Sequence, residues 1–169
     1  AIISRGYGAR DGQPNDEALE LASRLPGVQQ IQNPDRVQAA RWAIDELGCR
    51  AIVLDDGFQH RRLARDLDIV LLDALEPFGY EHVFPRGTLR EPSDGLHRAD
   101  VAALSRADAV DSEQRSQIRL RAKQIAPDAD WLELAHQPTR LLGLEEMPSS
   151  STTTSKDQPT LPTKIVHNE

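Results

Sequence analysis

The chain reads as an α/β protein built on a mostly parallel sheet flanked by helices. Three observations predict this class. Short continuous apolar runs stand at 51–54, 68–74 and 101–104. Stretches with apolar residues at helical spacing alternate with those runs, the pattern of strands joined by helical crossovers. Charged or turn-rich motifs follow the runs, SRGYG at 4–8, DDGFQH at 55–60, the Asp73 region and SRAD at 105–108. In open sheets of this kind ligands sit beyond the carboxyl ends of the strands, so the shared placement says more than any one motif does.

The elements follow in order. Ala1–Ser4 ends a buried strand that breaks at Arg5-Gly6-Tyr7-Gly8, and ARDGQP at 9–14 is turn chemistry. Asn15 or Asp16 is placed to cap a helix whose apolar positions are Leu19, Leu21, Ala22 and Leu25, and Pro26-Gly27 stops it. Asn33-Pro34-Asp35 opens a second helix with Val37, Ala40, Ile44 and Leu47 on one face and Gly48 at its end. Ala51–Leu54, Val101–Leu104 and the IVLL centre of Asp68–Ala74 are continuous apolar runs, as strands covered on both faces are. Residues 111–126 predict a helix and Trp131–Leu134 a further strand. From Pro148 the composition turns to SSSTTTSKDQPTLPT, a polar low-complexity tail without the apolar residues that packing needs. The expected division is a core over 1–147 and a disordered tail over 148–169. No internal repeat is visible.

Length and composition narrow the function classes. A chain of 169 residues holds one domain with a real core, or one domain and a tail. A hydrophobic content of 38% with mean hydropathy −0.53 suits a soluble protein. The net charge of −7 argues against nucleic acid as a partner. Of 20 basic residues only Lys123, Lys156 and Lys164 are lysines. Arginine is the better fork for phosphate and carboxylate oxygens, but a high-GC genome gives the same bias and is the preferred account. Cys49 stands alone, which excludes a disulfide framework and a thiolate metal cluster and fits a reduced, cytosolic setting. No apolar run approaches the roughly 20 residues of a membrane helix, and no signal peptide is visible.

The most informative stretch is LDDGFQHRRL, 54–63. Asp55 and Asp56 end a hydrophobic strand, the pattern of a Walker B carboxylate that holds Mg²⁺ near nucleotide phosphates. Alternation along a strand keeps the two from pointing the same way. One or two carboxylates suffice for magnesium, which keeps several waters. A solvated strand end is the preferred account of a lone DD, and the neighbours shift the balance. Gln59 and His60 lie close enough to reach the same cavity, one to position a substrate hydroxyl and the other to exchange a proton near neutral pH. Arg61, Arg62 and Arg65 are read as surface partners of Asp66 and Asp68. Capping alone accounts for Asp16; accepting a proton from an attacking hydroxyl is its functional reading, and composition does not separate the two. The loop FPRGTLREP, 84–92, sets Arg86, Gly87, Arg90 and Glu91 between prolines, as either a phosphate clamp or a turn with exposed arginines. His82, His97 and His136 have no partners at metal-ligand spacing. No GxxxxGK[ST] occurs, so the chain has a candidate magnesium arm and no phosphate cradle.

Taken together, SRGYG, NDEA (15–18), LDDGFQHRRLARDLDIVLLDA (54–74), PFG (77–79) and PRGTLREP (85–92) resemble the tetraacyldisaccharide 4′-kinases, the lipid A kinases of Gram-negative bacteria. The resemblance covers roughly residues 1–135. It implies a P-loop-NTPase-like fold that transfers the γ-phosphoryl of ATP, with Mg²⁺, to the 4′-hydroxyl of a lipid A disaccharide precursor bearing a 1-phosphate. It further implies that Asp16 acts as or assists the base and that Asp55 and Asp56 stand near magnesium. Gln59, His60 and Glu91 are then at the active site, and Arg5 with the SRGYG loop shapes the substrate side. NDEA stands where the family typically has GDEP. The family's Walker A loop and its second half, with a histidine that partners the base, have no counterpart here. The expectation is therefore a partial kinase core, inactive alone, from a protein attached to the cytoplasmic face of the inner membrane through a segment upstream of Ala1.

The rival reading is a degenerate, non-catalytic kinase-like protein that binds a partner or a lipid headgroup. A metal-dependent phosphohydrolase is disfavoured. A dehalogenase-type site needs a second Asp two residues after the first, where residue 57 is Gly, and a two-metal site needs more clustered ligands.

Overall fold

The computed structural model describes residues 1–6 and 16–137. The proposed tail at 148–169 and the end of the SRGYG motif lie outside them. Among the described residues six strands run parallel to their neighbours in two three-stranded sheets. In the first, β1 (Ile2–Ser4) lies between β2 (Gln30–Gln32) and β3 (Val53–Leu54), so that Ile3 is level with both Ile31 and Leu54. In the second, β5 (Val101–Ser105) lies between β4 (Ile69–Asp73) and β6 (Asp130–Glu133), with Leu72 level with Leu104 and Glu133. The parallel, helix-flanked class expected from the sequence is the class observed, with the strands divided between two sheets. β2 was not foreseen, because QIQ offers a single apolar residue.

Among the described residues three α-helices lie in the connections β1–β2, β2–β3 and β5–β6: α1 (Asp16–Arg24), α2 (Arg36–Asp45) and α3 (Ser112–Ile125). Asp35 caps α2, its carboxylate accepting from the backbone N–H of Val37 and Gln38 at 3.1 and 3.2 Å. Gly48 follows in a left-handed conformation, φ +63°. Asp111 and Gln114 close a capping box at the start of α3. The face α2 buries overlaps the expected one at Ala40, with Leu47 packed beside it, and departs from it at Ile44. Arg36, Ala39, Ala40 and Ala43 are buried and Ile44 is 55% exposed, because close approach to the first sheet favours small side chains over branched ones.

The core has two parts. Ile3, Ile31, Ala39, Ala40 and Ala43 form one, joined by Leu54 and Leu63. Leu72, Leu96, Ala102, Leu104 and Ala122 anchor the other, with Phe58 and Trp131 packed against it. Cover on both faces holds for β5, where Ala102, Ala103 and Leu104 are all buried. It does not hold for β3 or β4, since Val53, Ile69 and Leu71 are exposed on strands that edge their sheets. Among the described residues no helix is long and apolar enough to cross a membrane.

Candidate active site

Asp55 continues β3: its N–H donates to the Ile3 carbonyl at 2.9 Å. Its own carbonyl accepts from Arg36 Nη2 at 3.0 Å. The chain then turns sharply. Asp56 has φ +51°, and a Cβ on Gly57 would stand 2.6 Å from the Leu54 Cβ, so the turn needs glycine. The His60 N–H donates to the Gly57 carbonyl at 2.9 Å, and Arg65 Nη1 donates to the His60 carbonyl at 2.7 Å while its Nε pairs with Asp68 at 2.7 Å. Arg65 is thus the foreseen partner of Asp68, and it also braces the loop. Arg61 and Arg62 are exposed.

The second half of the site comes from residues 79–98. The loop before Arg90 folds tightly on itself, since a Cβ on Gly87 would lie 2.2 Å from the carbonyl oxygens of Gly79 and His82. Arg90 donates to both carboxylate oxygens of Asp56. Beside it, Glu91 Oε1 accepts from Gln59 Nε2 at 3.0 Å and from Arg98 Nη2 at 2.7 Å, and its Oε2 accepts from Arg98 Nη2 at 2.9 Å. Arg98 also lies over the Phe58 ring, 4.6 Å from its centre. Burial pushes the Glu91 carboxyl up, but the hydrogen bonds from Arg98 and Gln59 outweigh it and hold the group below the usual carboxylate range.

Two motifs read separately from the sequence, DDGFQH and LREP, therefore meet through two contacts across 32 and 34 residues. His60 joins them with a buried Nε2 that has no hydrogen-bond partner among the described residues. Asp55 lines a small pocket with Ser4, Ala18, Leu21, Gln30 and Gln32. Asp16 is exposed in the first turn of α1, the helix that contributes Ala18 and Leu21 to that pocket. Among the described residues, no hydrogen bond or ion pair links Asp16 to Asp55, Asp56, Gln59 or His60. Arg5 is exposed just beyond β1, and Gly6 beside it packs near Gln32. Of the loop arginines offered as a phosphate clamp, Arg86 is exposed and Arg90 is committed to Asp56. At the ends of β4 and β5 the SRAD motif supplies Arg106 to Asp73. That hydrogen bond, with the Leu75 N–H, holds the Asp73 carboxyl below its ordinary range.

Sequence reasoning missed Arg36 and Arg98. Arg36 had a readable signal, since it shares its helical face with Ala39, Ala40 and Ala43 at spacings of three, four and seven. Arg98 had none, because its role depends on a loop closure spanning the preceding motif. Among the described residues no group of three or more His, Cys, Asp or Glu could hold a metal ion. Asp55 and Asp56 are adjacent carboxylates, a ligand type that suits a hard cation keeping most of its waters, but the first lines the small pocket and the second is paired with Arg90.

The chain resembles known proteins over much of its length. The family described as tetraacyldisaccharide-1-P 4′-kinase matches residues 1–161. The tetraacyldisaccharide 4′-kinase of Anaeromyxobacter dehalogenans strain 2CP-C is 46% identical over 158 residues, covering 84% of this chain and 42% of the relative. The enzyme of the same name from Halothermothrix orenii is 40% identical over 136 residues, covering 70% of this chain and 35% of its own length. Among solved structures, the "apo" form of LpxK from Aquifex aeolicus in complex with ATP superposes with a TM-score of 0.54 at 34% identity, over 61% of this chain and 37% of that one. The chain spans about two fifths of the length of the curated relatives it matches.

Proposed function

The chain belongs to the tetraacyldisaccharide-1-P 4′-kinase family, and we propose that it carries the magnesium and acceptor side of a site transferring the γ-phosphoryl of ATP to the 4′-hydroxyl of a disaccharide lipid 1-phosphate. The observation that carries this reading is the joining of the two motifs: Gln59 bonded to Glu91, and Asp56 paired with Arg90, at the carboxyl end of β3.

Each residue then has a chemical task. Asp55 and Asp56 offer the carboxylates for Mg²⁺, which when bound neutralises charge on the phosphate oxygens. Arg90 exchanges its grip on Asp56 for phosphate oxygens as nucleotide enters, a guanidinium fork matching either anion. Asp16 takes the proton from the 4′-hydroxyl as the new oxygen–phosphorus bond forms and the bond to the β-phosphate oxygen breaks, leaving ADP. Gln59 and His60 serve the sugar and phosphate oxygens, with Glu91 fixing the Gln59 amide and Arg5 lying on the acceptor side. The acyl chains of such an acceptor belong in a bilayer, so the natural protein works at the cytoplasmic face of the inner membrane.

The test is transfer of labelled phosphate from ATP to tetraacyldisaccharide 1-phosphate by the natural polypeptide that contains this sequence. Asp55→Ala and Asp16→Ala should each abolish most of the turnover. Unchanged turnover in both would end the proposal. The pairing of Asp56 with Arg90 favours one second reading, a protein that binds nucleotide or lipid without turnover. It predicts binding of the same ligands and no labelled product.

A further inference from the structure

Arg98 and Gly95 lie on a 3₁₀ turn, Ser93–Arg98, rooted in the core at Leu96 and closed by the Ala99 N–H donating to the Leu96 carbonyl at 2.9 Å. From there Arg98 reaches both oxygens of Glu91 and stacks on Phe58, the residue just before Gln59. Its Nε is buried without a hydrogen-bond partner. The guanidinium therefore leaves one donor unsatisfied in this placement, which an ordinary surface ion pair has no need to do. Gly95 completes the arrangement. A Cβ there would lie 2.6 Å from Glu91 Oε2 and 3.1 Å from Arg98 Nη1, so a side chain at 95 would displace the Glu91 carboxylate from this placement. Gln59 takes its direction from that carboxylate through a 3.0 Å hydrogen bond.

We propose that Arg98 is a positioning residue for this site: held at the core and braced by Gly95, it fixes Glu91 and Phe58 together and so sets the Gln59 amide at the end of the Asp55–Asp56 turn. The arrangement resembles the outer hydrogen-bond partners of a metal ligand, which orient the group that does the chemistry without touching substrate. Its consequence for catalysis rests on the kinase reading above; its consequence for the loop does not.

Two measurements keep those apart. The first is amide hydrogen exchange at His60 and Arg61, whose N–H groups close the 57–61 turn, with Ala103 and Leu104 in β5 as the core reference. Arg98→Met should speed exchange at His60 and Arg61 by about tenfold and leave the core amides unchanged, as a local opening does. Gly95→Ala, which adds and removes no charge, should do the same, and Arg98→Lys should fall between, having a point charge in place of a guanidinium. The second is steady-state phosphoryl transfer by the full natural polypeptide. Arg98→Met should lower kcat by about 10- to 100-fold with the KM for ATP unmoved. The double variant with Gln59→Ala should be no worse than the more damaged single variant. Unchanged exchange at His60 and Arg61 in both Arg98→Met and Gly95→Ala overturns the proposal, as does core exchange accelerated to the same extent. Multiplying kcat losses in the double variant overturn it too. Should the unsubstituted polypeptide transfer no phosphate, the kinase reading falls and the exchange result alone decides.

Discussion

Arg36, a residue only 7% exposed, donates from Nη2 to the Asp55 carbonyl oxygen at 3.0 Å. It pins the backbone of the first carboxylate of the site to the first turn of α2. Among the described residues no acidic group pairs with it, and its Nε has no partner. A hydrogen bond from a charged donor stabilises by about 1.5–3 kcal/mol, whereas desolvating an unpaired cation costs several kcal/mol. The second effect wins. Arg36→Met should raise the stability of the chain by about 1 kcal/mol, read as a higher urea midpoint at unchanged slope. A lower midpoint would show that the hydrogen bond outweighs the buried charge.

The pair formed by Asp56 and Arg90 is different in kind. Both side chains are largely in water, at 43% and 65% exposure. Exposed pairs stabilise by no more than about 1 kcal/mol, so Arg90→Ala should shift the urea midpoint little. Its electrostatic effect on Asp56 should be visible through a divalent cation. Removing the competing guanidinium should tighten Mn²⁺ binding to the chain, and Asp56→Asn should weaken it. Titration followed by electron paramagnetic resonance reads both. Weaker Mn²⁺ binding in Arg90→Ala would place the cation elsewhere.

Glu91 gives a pH dependence of definite sign. Its folded carboxyl lies below the ordinary value of 4.5, with burial acting against the hydrogen bonds from Arg98 and Gln59 that win. A group lowered by folding adds stability that is fully present above the unfolded pKa and is lost as pH falls through the folded one. Glu91→Gln removes that ionisation. The stability difference between the unsubstituted chain and this variant should therefore be constant above about pH 5.5 and shrink as the pH is lowered through 4.5 and below. Urea midpoints across that range measure it. A difference that grows toward acid pH would mean that the carboxyl is held above its ordinary value.

Legibility in the sequence followed the range of the interactions. Helix starts were readable because Asp35 and Asp111 act within three residues of themselves. The strand runs at Val101–Ser105 and Ile69–Asp73 were readable because four consecutive apolar residues bounded by polar ones have few other uses. The three-residue β2 was invisible, since its place beside β1 is set by its neighbours. At the site, Asp55, Asp56, Gln59, His60 and Glu91 stood out as residue types inside distinctive motifs. What no local pattern encodes is that Gln59 bonds to Glu91 or that Arg90 takes Asp56, because loop closure over more than thirty residues decides both. For the same reason Ile44 misled as a core residue, since the distance between α2 and the first sheet chose alanines there.

The bare edge of the second sheet predicts how the 169-residue chain behaves in solution. Among the described residues β4 pairs with β5 on one side alone, and Ile69 and Leu71 are 55% and 65% exposed on one of its faces. A strand edge of unpaired N–H and C=O groups flanked by branched apolar side chains is a template for another chain. The 169-residue chain should therefore self-associate at tens to hundreds of micromolar, roughly the range in which exposed apolar edges act. Leu71→Lys places a charge on that face, opposing edge pairing, and Leu71 has little burial to lose. The substitution should lower the weight-average mass in sedimentation equilibrium while changing stability by less than about 0.5 kcal/mol. Association of equal strength in Leu71→Lys would move the contact to another surface, and a chain that stays monomeric throughout would show that the exposed edge is already protected.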